Sequence, residues 1–408
     1  GLAELSAEMP EVKVYTGVYP VELVEQASEL IVSPGLSMDD PLVRQALAAD
    51  VAVVGDVDLF MREAAAPVVG ITGSNAKSTV TELVGQMAAA AGLNVGVGGN
   101  LGPPALDLLE DGCQLYVLEL SSFQLERAGE LGLAVAAVLN VSADHLDRHG
   151  SMPAYHAAKH RIFRGCDKVV VNRDDPLTIP LVGPRVDVIS WRLGEPELNG
   201  FGVREIDGER WICHGFEALM NVSEMRLAGR HNLANGLAAL ALGHAAGLAF
   251  EPMLSTLRSF RGLPHRCQQV AEIGGVRYVD DSKGTNVGAT QAALVGLGDG
   301  ENLVLLAGGQ GKGADFSQLR EPVSRHCKLL VLFGEDAGLL ETSLEGCAPV
   351  IRADSLEGAV KIAVDQARRG DTVLLSPACA SLDMFSSYVA RGEAFQAAVQ
   401  AIAGVAHD

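Results

Sequence analysis

The side chains best suited to chemistry lie in a loop that follows an apolar run. The run ends at Ile71, small residues fill positions 72–76, and Lys77 and Ser78 open a helical pattern. In such a strand–loop–helix unit, backbone N–H groups and the helix N-terminus can hold a phosphate, while the lysine reaches the β- and γ-phosphates and the hydroxyl binds Mg²⁺. The loop residues are Gly73, Ser74, Asn75, Lys77, Ser78 and Thr79. The sequence thus predicts a nucleotide-binding loop.

This loop departs from the common phosphate-loop pattern at two positions. The pattern has glycine immediately before the lysine and again six residues before it, where this chain has Ala76 and Ile71. If position 76 requires a positive φ, its methyl group costs about 1 kcal/mol. An ordinary glycine-rich turn between a strand and a helix therefore remains open as an alternative.

A carboxylate and an imidazole follow two further apolar runs. Glu119 lies at the end of the run 115–120, and Asp144 and His145 follow the run 134–141. Since Mg²⁺ takes one or two protein oxygens together with phosphates, Glu119 is a candidate metal ligand, and His145 could bind a metal or stabilise a phosphate. The alternatives are a water-exposed carboxylate at a strand end and a helix capped by Asp144.

Other polar groups are ambiguous when they are considered alone. Lys159 lies in a basic helical stretch, where a solvated lysine is the ordinary interpretation. In the last third of the chain, the loops that follow apolar runs are 280–286, 308–313, 334–336 and 376–379. Ligands of open parallel sheets bind at the carboxyl ends of the strands. These loops are therefore placed for an anionic ligand, or they only turn the chain.

Strands that alternate with helices must position these groups. Residues 56–262 and 263–408 contain apolar strand patterns separated by helices, which is typical of parallel sheets covered on both faces. Within the first of these regions, residues 201–214 alternate around Asp207-Gly208 and predict a β-hairpin. We expect an α/β fold.

The first part of the chain, residues 1–55, contains three short strand candidates, at 13–15, 30–32 and 51–54. Three short strands with little helix do not fill a domain. We therefore expect a truncated N-terminal domain, whose opening βαβ unit would precede Gly1.

Composition excludes several classes of protein. The 408 residues are 48% hydrophobic and 20% charged, and the net charge is −20, so a nucleic-acid partner is not expected. Seven scattered cysteines without a Cys-x-x-Cys pair indicate reduced thiols rather than disulfides or a zinc site. No apolar run approaches the ~18 residues that span a bilayer, and no signal peptide is visible. We expect a cytoplasmic monomer that does not bind membranes.

Taken together, the motifs resemble the Mur ligase family. They occur in the order of that family and span nearly the whole chain: Gly70–Thr79, Gly98–Gly102, Glu119–Gln124, Asn140–Arg148, Ala157–Arg161, His231–Asn235, Gly262–Arg266, Asp281–Asn286, Gly308–Asp315 and Ser376–Leu382. The resemblance implies a Rossmann-like UDP-binding domain over 1–55, a central P-loop-type ATPase domain over 56–262 and a C-terminal Rossmann-like domain over 263–408.

The resemblance also implies a reaction. Within the family, the chain is most similar to ligases of cytoplasmic peptidoglycan precursor synthesis that join UDP-N-acetylmuramoyl-L-alanine to D-glutamate. ATP would phosphorylate the carboxylate of the UDP-substrate, and the amine of D-glutamate would then displace phosphate to form an amide. A carboxylate is a poor electrophile, so phosphorylation supplies a leaving group, and metal and lysine hold the developing charge.

Residue roles follow from the same resemblance. The catalytic residues would be Lys77, His145 and Lys159. Two Mg²⁺ sites would use Ser78, Glu119, His145 and Lys159, with the lysine carbamylated because an unmodified ammonium cannot bind Mg²⁺. The adenine and ribose contacts would be Asn235, Arg266, Asp281 and Lys283. The D-glutamate pocket would contain Thr285, Lys312, Ser381, Leu382 and Tyr388. The UDP-substrate would contact Ser33, Gly35 and Asn100.

Two other functions remain open. A different amide ligase of the same superfamily, such as a later Mur enzyme or a folylpolyglutamate synthase, would share the nucleotide site. The chain has no Asp-Asn-Pro-Arg stretch of the kind that suggests diaminopimelate specificity. A nucleotide-binding module or regulatory ATPase would explain the loop, but it would leave Lys159, Arg266 and Lys312 without a role.

Overall fold

The computed structural model of the chain describes residues 2–17, 19–227 and 229–405. Its first unit contains a two-stranded parallel sheet and three helices. The elements are α1 (Leu2–Glu8), α2 (Val21–Glu25), β1 (Glu29–Ile31), α3 (Pro41–Ala48) and β2 (Ala52–Val54). Residues 13–15, predicted as a strand, form none. No neighbouring strand pairs with them, and a strand needs such a partner for its backbone N–H and C=O groups.

The second unit is built on a nine-stranded sheet with the order β11-β10-β9-β8-β7-β6-β3-β5-β4. Its strands are β3 (Val68–Thr72), β4 (Val95–Gly99), β5 (Leu115–Glu119), β6 (Val135–Val138), β7 (Lys168–Asn172), β8 (Asp187–Trp191), β9 (Gly200–Ile206), β10 (Glu209–His214) and β11 (Glu217–Asn221). The strands from β4 to β9 pair in parallel. The predicted hairpin is formed by β9 and β10.

Helices cover both faces of this sheet, which explains why the central strands β3, β5, β6 and β7 are almost entirely buried and largely apolar. They are α4 (Asp56–Glu63), α5 (Lys77–Ala90), α6 (Ser122–Arg127), α7 (Leu146–His149), α8 (Met152–His160), α9 (Arg230–Ala245) and α10 (Phe250–Ser259). Short 3₁₀ helices lie at Ala105–Leu108, Arg161–Phe163, Pro176–Thr178 and Val222–Glu224. Two separate apolar clusters, one on each face, form the core.

The third unit contains a six-stranded sheet with the order β12-β13-β17-β14-β15-β16. Its elements are β12 (Gln268–Ile273), β13 (Val276–Asp280), α11 (Val287–Leu297), β14 (Leu303–Gly308), α12 (Arg320–His326), β15 (Cys327–Phe333), α13 (Ala337–Ser343), β16 (Val350–Arg352), α14 (Leu356–Gln366), β17 (Thr372–Leu375) and α15 (Tyr388–Val405), with a 3₁₀ helix at Phe316–Leu319. Only the pairing of β12 with β13 is antiparallel in this sheet.

Sheet order places the candidate chemical groups together. In the second unit, β3 lies between β5 and β6, so the loops that follow these three parallel strands emerge side by side at one edge. In the third unit, β13, β17 and β14 are neighbours, which brings their loops together in the same way. Within the described ranges, no helix combines the length and apolar character needed to cross a membrane.

Candidate active site

The loop between β3 and α5, which we call the phosphate loop after its predicted role, contains a residue in the left-handed backbone conformation. Ala76, the residue before the lysine, adopts φ 66° and ψ −5°. This alanine therefore has the left-handed backbone conformation that is ordinarily adopted by glycine. Asn140, after β6, braces the loop because its side chain accepts the Asn75 backbone N–H at 2.8 Å and donates to the Asn75 carbonyl at 3.1 Å. Ser74 Oγ accepts from the Ser142 backbone N–H and lies 3.1 Å from Tyr155 Oη.

Two lysines converge on this loop. Lys77 Nζ and Lys159 Nζ each donate to the Gly73 carbonyl oxygen at 2.8 Å. Lys159 is only 1% exposed, and its ammonium group lies over the Tyr155 ring at 4.5 Å. Burial, together with repulsion from Lys77, holds the pKa of Lys159 well below its ordinary value. The interpretation of Lys159 as a solvated surface lysine is therefore wrong.

Glu119 lies at the end of β5, beside the loop. It is 3% exposed, so the interpretation as a water-exposed strand end is also wrong. Its Oε1 accepts a hydrogen bond from Asn100 Nδ2 at 2.7 Å, whereas its buried Oε2 has no hydrogen-bond partner among the described residues. A buried carboxylate oxygen without a partner is unfavourable. A divalent cation that prefers oxygen ligands would fit this oxygen.

His145 lies at the edge of the same site, at the end of the β6 loop. It is itself the residue that precedes α7, with φ 52°, so Asp144 does not cap this helix. Instead, Asp144 Oδ1 accepts the His145 backbone N–H at 2.9 Å, and its Oδ2 lies 3.6 Å from His145 Nε2. Burial lowers the pKa of the imidazole; Asp144 opposes this shift, and the cations Lys312 and Lys77 add to it.

The third unit reaches directly into the phosphate loop. Arg266 donates to Ser78 Oγ at 2.7 Å, and Asn286 Nδ2 donates to Asn75 Oδ1 and to Asp144 Oδ2, both at 3.1 Å. Burial lowers the pKa of the Arg266 guanidinium. These contacts set the two sheets against each other, with the candidate nucleotide residues between them.

A cavity of about 680 Å³ lies at this junction. It is lined by all four residues predicted to contact adenine and ribose: Asn235, Arg266, Asp281 and Lys283. Asn75, Ala76 and Thr79 of the loop line it as well. The cavity is therefore continuous with the phosphate loop, as a nucleotide site requires.

Two of the residues that line this cavity titrate near neutral pH. Burial raises the pKa of Asp281 to about 6, although a hydrogen bond from Ser376 Oγ at 2.7 Å opposes this shift. Burial, with repulsion from Arg266, lowers the pKa of Lys283 to about 8. Burial therefore destabilises both the carboxylate form of Asp281 and the ammonium form of Lys283. A bound ligand that forms hydrogen bonds or ion pairs with these groups would stabilise their charged forms.

The loops predicted to hold an amino-acid substrate are brought together at one edge of the third sheet. Gln310 and Ala380 exchange backbone hydrogen bonds at 3.1 and 2.8 Å, which joins the loop of Lys312 to that of Ser381. Ser381 is buried, whereas the side chain of Leu382 is 66% exposed. Leu382 therefore lies at an open rim rather than inside a pocket.

The remaining predicted residues of this group lie next to the nucleotide residues. Thr285 is half-buried in the turn after β13, where its backbone N–H donates to the Lys283 carbonyl at 2.8 Å. The Tyr388 ring, at the start of α15, lies under Lys283 Nζ at 3.8 Å. The Lys283 ammonium thus lies between the residues predicted to bind the nucleotide and those predicted to bind the amino acid.

Ser33 and Gly35 lie in the exposed turn after β1, in the first unit. Their carbonyl oxygens accept hydrogen bonds from Arg127 and Arg148 of the second unit. The other residue predicted to contact the UDP-substrate, Asn100, is bonded to Glu119 beside the phosphate loop.

Sequence reasoning gave no individual role to several residues that shape this site. Asn140, Tyr155 and Asn286 hold the loop through the contacts described above. A signal existed for Tyr155, because it lies four residues before Lys159 and therefore on the same face of a helix. The loop that contains Asn286 was predicted to lie near a ligand, but nothing local indicated its partners, which are 211 and 142 positions away in the chain.

Known proteins match the chain over nearly its whole length. Family models match at residues 1–55 (Mur ligase MurD-like, N-terminal domain), 71–243 (Mur ligase middle domain) and 265–379 (Mur ligase, glutamate ligase domain). The UDP-N-acetylmuramoylalanine–D-glutamate ligase of Pseudomonas aeruginosa is 56% identical over 405 residues, which cover 98% of this chain and 90% of the relative. The chain belongs to the Mur ligase family.

Solved structures of a pseudomurein peptide ligase and of a Mur ligase share its fold at low identity. A pseudomurein peptide ligase type C from Methanothermus fervidus aligns with a TM-score of 0.66 and 16% identity, covering 94% of this chain and 89% of that one. The MurF ligase of Thermotoga maritima, solved in complex with ADP, aligns with a TM-score of 0.61 and 18% identity, covering 92% and 96%. These alignments support the three-part α/β architecture.

The donor groups of this Mur ligase can be compared with the ligand preferences of different metals. Among the described residues, no group of three or more His, Cys, Asp or Glu side chains could hold a metal ion. The groups beside the phosphate loop are two carboxylates, those of Glu119 and Asp144, with hydroxyls and a single imidazole. Such a set fits Mg²⁺, which retains waters and phosphate oxygens as ligands, better than it fits a transition metal enclosed by protein ligands.

Proposed function

We propose that this protein is an ATP-dependent ligase that joins D-glutamate to UDP-N-acetylmuramoyl-L-alanine in peptidoglycan precursor synthesis. The observation that carries this function is the 56% identity, over 98% of the chain, to a relative named for that reaction. Identity that extends through all three units includes the third unit, where the loops of Lys312 and Ser381 would receive the amino acid.

ATP would bind in the cavity between the second and third units. Asn235, Arg266, Asp281 and Lys283 would contact its adenine and ribose, and Lys77 would turn from the Gly73 carbonyl to the phosphates. The start of α5 offers the N-terminus of a helix to the same phosphates, while the backbone N–H groups of Ser74 and Asn75 are bonded to Asn140. Arg266 supports this assignment because it touches both the cavity and Ser78.

Two Mg²⁺ ions would be held beside the transferred phosphate. Ser78 and Glu119 would hold the first, and His145 and carbamylated Lys159 the second. Mg²⁺ supplies charge compensation for the phosphate oxygens. The lowered pKa of Lys159 supports carbamylation, because only a neutral amine can attack CO₂, with loss of one proton, to give the carbamate.

The chain's residues would then serve a two-step reaction. A carboxylate oxygen of the UDP-substrate attacks the γ-phosphorus, the bond to ADP breaks, and Lys77 stabilises the charge that develops. The amine of D-glutamate next attacks the acyl carbon and loses a proton, and inorganic phosphate departs. Thr285, Lys312, Ser381, Leu382 and Tyr388 would hold D-glutamate, with the Lys312 ammonium facing a carboxylate.

Several further features belong to the same proposal. We place the domain divisions at 55/56 and 262/263, between the sheets of the three units. We propose that the enzyme is a cytoplasmic monomer without nucleic-acid or membrane partners. Ser33, Gly35 and Asn100 would contact the UDP-substrate.

Amino-acid specificity separates this function from that of other Mur ligases. ADP formation should be measured with ATP, Mg²⁺ and UDP-N-acetylmuramoyl-L-alanine while D-glutamate, L-glutamate or meso-diaminopimelate is added in turn. We expect activity with D-glutamate alone, and Lys77→Ala should abolish it without unfolding the protein. Equal activity with diaminopimelate, or ADP formation without any amino acid, would refute the proposal.

A further inference from the structure

The turn after β1 is fastened to the second unit by two arginines. Arg127, the last residue of α6, is 3% exposed. Its guanidinium donates to the Val32 carbonyl at 3.4 Å, to the Ser33 carbonyl, to the Pro34 carbonyl at 3.3 Å and to the Leu36 carbonyl at 2.9 Å.

Arg148 completes this arrangement. It donates to the Gly35 carbonyl at 3.3 Å and to the Leu36 carbonyl at 2.7 Å. Together, the two guanidinium groups engage every carbonyl oxygen from residue 32 to residue 36. We refer to residues 32–36 as the β1 turn.

The burial of Arg127 is hard to explain by packing alone. A buried cation is unfavourable unless it is paired, and the ion pair that Arg127 forms with Glu126 is long, at 3.9 Å. The Nε atom of Arg127 is also buried without a hydrogen-bond partner among the described residues. Glu126 also accepts a hydrogen bond from Arg148 at 3.1 Å, so the two guanidinium groups share one carboxylate. Carbonyl dipoles provide the rest of the compensation, and the pair of arginines leaves a net positive charge behind the turn.

Arg148 connects the β1 turn with the metal-binding edge of the site. It lies in α7, three residues after His145, and its guanidinium stacks over the Phe123 ring at 5.2 Å. The same ring meets His145 edge-on, with the ring centroids 4.9 Å apart. A shift of the β1 turn would therefore displace Arg148 and, through the Phe123 ring, His145.

We propose that Arg127 and Arg148 are positioning residues for the UDP-substrate, which act across the domain boundary by holding the β1 turn and placing positive charge behind it. This inference rests on the proposed function. The diphosphate of the substrate is the anion that the charge would favour, since opposite charges attract strongly where water is excluded. Neither arginine needs to touch the substrate itself.

The test compares the steady-state KM values of the unmodified enzyme with those of its variants. For Arg127→Gln, Arg127→Lys and Arg148→Gln, we expect the KM for the UDP-substrate to rise about tenfold or more, as when the support of a bound group is lost. The KM values for ATP and D-glutamate should change less than about twofold. Arg127→Lys should be milder than Arg127→Gln because it retains the charge but not the planar set of donors.

A matched control is available in the same interface. Arg62 of α4 forms a bidentate ion pair with Glu29 of β1, with hydrogen bonds of 2.9 and 2.8 Å. This ion pair also joins the first and second units. Because this pair is solvent-exposed and lies away from the β1 turn, Arg62→Gln should leave the KM for the UDP-substrate unchanged. Thermal unfolding of each variant identifies any that fail to fold, and Arg148→Gln, nearer the surface, tests the proposal if Arg127→Gln does not fold.

Three results would overturn the role of the arginines: an unchanged KM for the UDP-substrate in folded Arg127→Gln and Arg148→Gln, an equal rise of all three KM values, or the same rise in Arg62→Gln. Absence of UDP-substrate-dependent activity in the unmodified enzyme would instead refute the proposed function. The two failures are thus distinguishable.

Discussion

Ala76 gives a direct test of the backbone shape of the phosphate loop. Its φ of 66° costs an alanine about 1–2 kcal/mol, and glycine would remove this cost. Glycine loses about 0.5–1 kcal/mol more conformational entropy on folding. The half-buried methyl group contributes part of the ~0.8 kcal/mol typical of a buried methylene. We therefore expect Ala76→Gly to raise the free energy of unfolding by between zero and about 1 kcal/mol.

Urea unfolding followed by tryptophan fluorescence measures this change in the relevant unit. Both tryptophans of the chain, Trp191 in β8 and Trp211 in β10, belong to the nine-stranded sheet on which α5 packs. Ala89, exposed in the last turn of α5, is the control. Ala89→Gly should lower the free energy of unfolding by about 0.5–1 kcal/mol, because an ordinary helical position gains nothing from glycine. Equal destabilisation by both substitutions would show that residue 76 does not adopt the left-handed conformation.

Two further predictions concern catalysis. Lys159→Ala should remove activity and short carboxylic acids should partly restore it, because a free carboxylate can replace the carbamate; no rescue in activity assays at any concentration would count against a carbamylated lysine. Since burial raises the pKa of Asp281 to about 6, the carboxylate that would accept a ribose hydroxyl is lost as the pH falls through 6. The KM for ATP should therefore rise below pH 6 and remain flat with pH in Asp281→Asn, and identical pH profiles for the two proteins would contradict that role.

The sequence predicted the elements well where their pattern was local. Strands β1 and β2 begin and end within one residue of the predicted strands 30–32 and 51–54, and the hairpin around Asp207-Gly208 formed as expected, because residue pattern and turn chemistry are properties of neighbouring residues. Residues 13–15 were wrongly predicted as a strand. The short stretch Lys13-Val14-Tyr15 does not form a strand without a partner for its backbone groups.

Long-range contacts could not be predicted from the sequence, for a physical reason. The solvated-lysine alternative for Lys159 failed because burial depends on which helix face packs on the sheet, and a short basic stretch does not show that. The links from Arg127 to the β1 turn and from Asn286 to the phosphate loop join residues about 90 to 210 positions apart. Only the packing of the three units brings these residues together.

Transfer of an isotope tests the central claim most directly. UDP-N-acetylmuramoyl-L-alanine labelled with ¹⁸O in its alanine carboxylate should be incubated with the enzyme, ATP, Mg²⁺ and D-glutamate, and the released phosphate analysed by mass spectrometry. An acyl-phosphate route predicts that each phosphate released carries one carboxylate oxygen, and that release requires both the UDP-substrate and D-glutamate. Unlabelled phosphate, released at the same rate without either substrate, would contradict the assignment and indicate a simple ATPase.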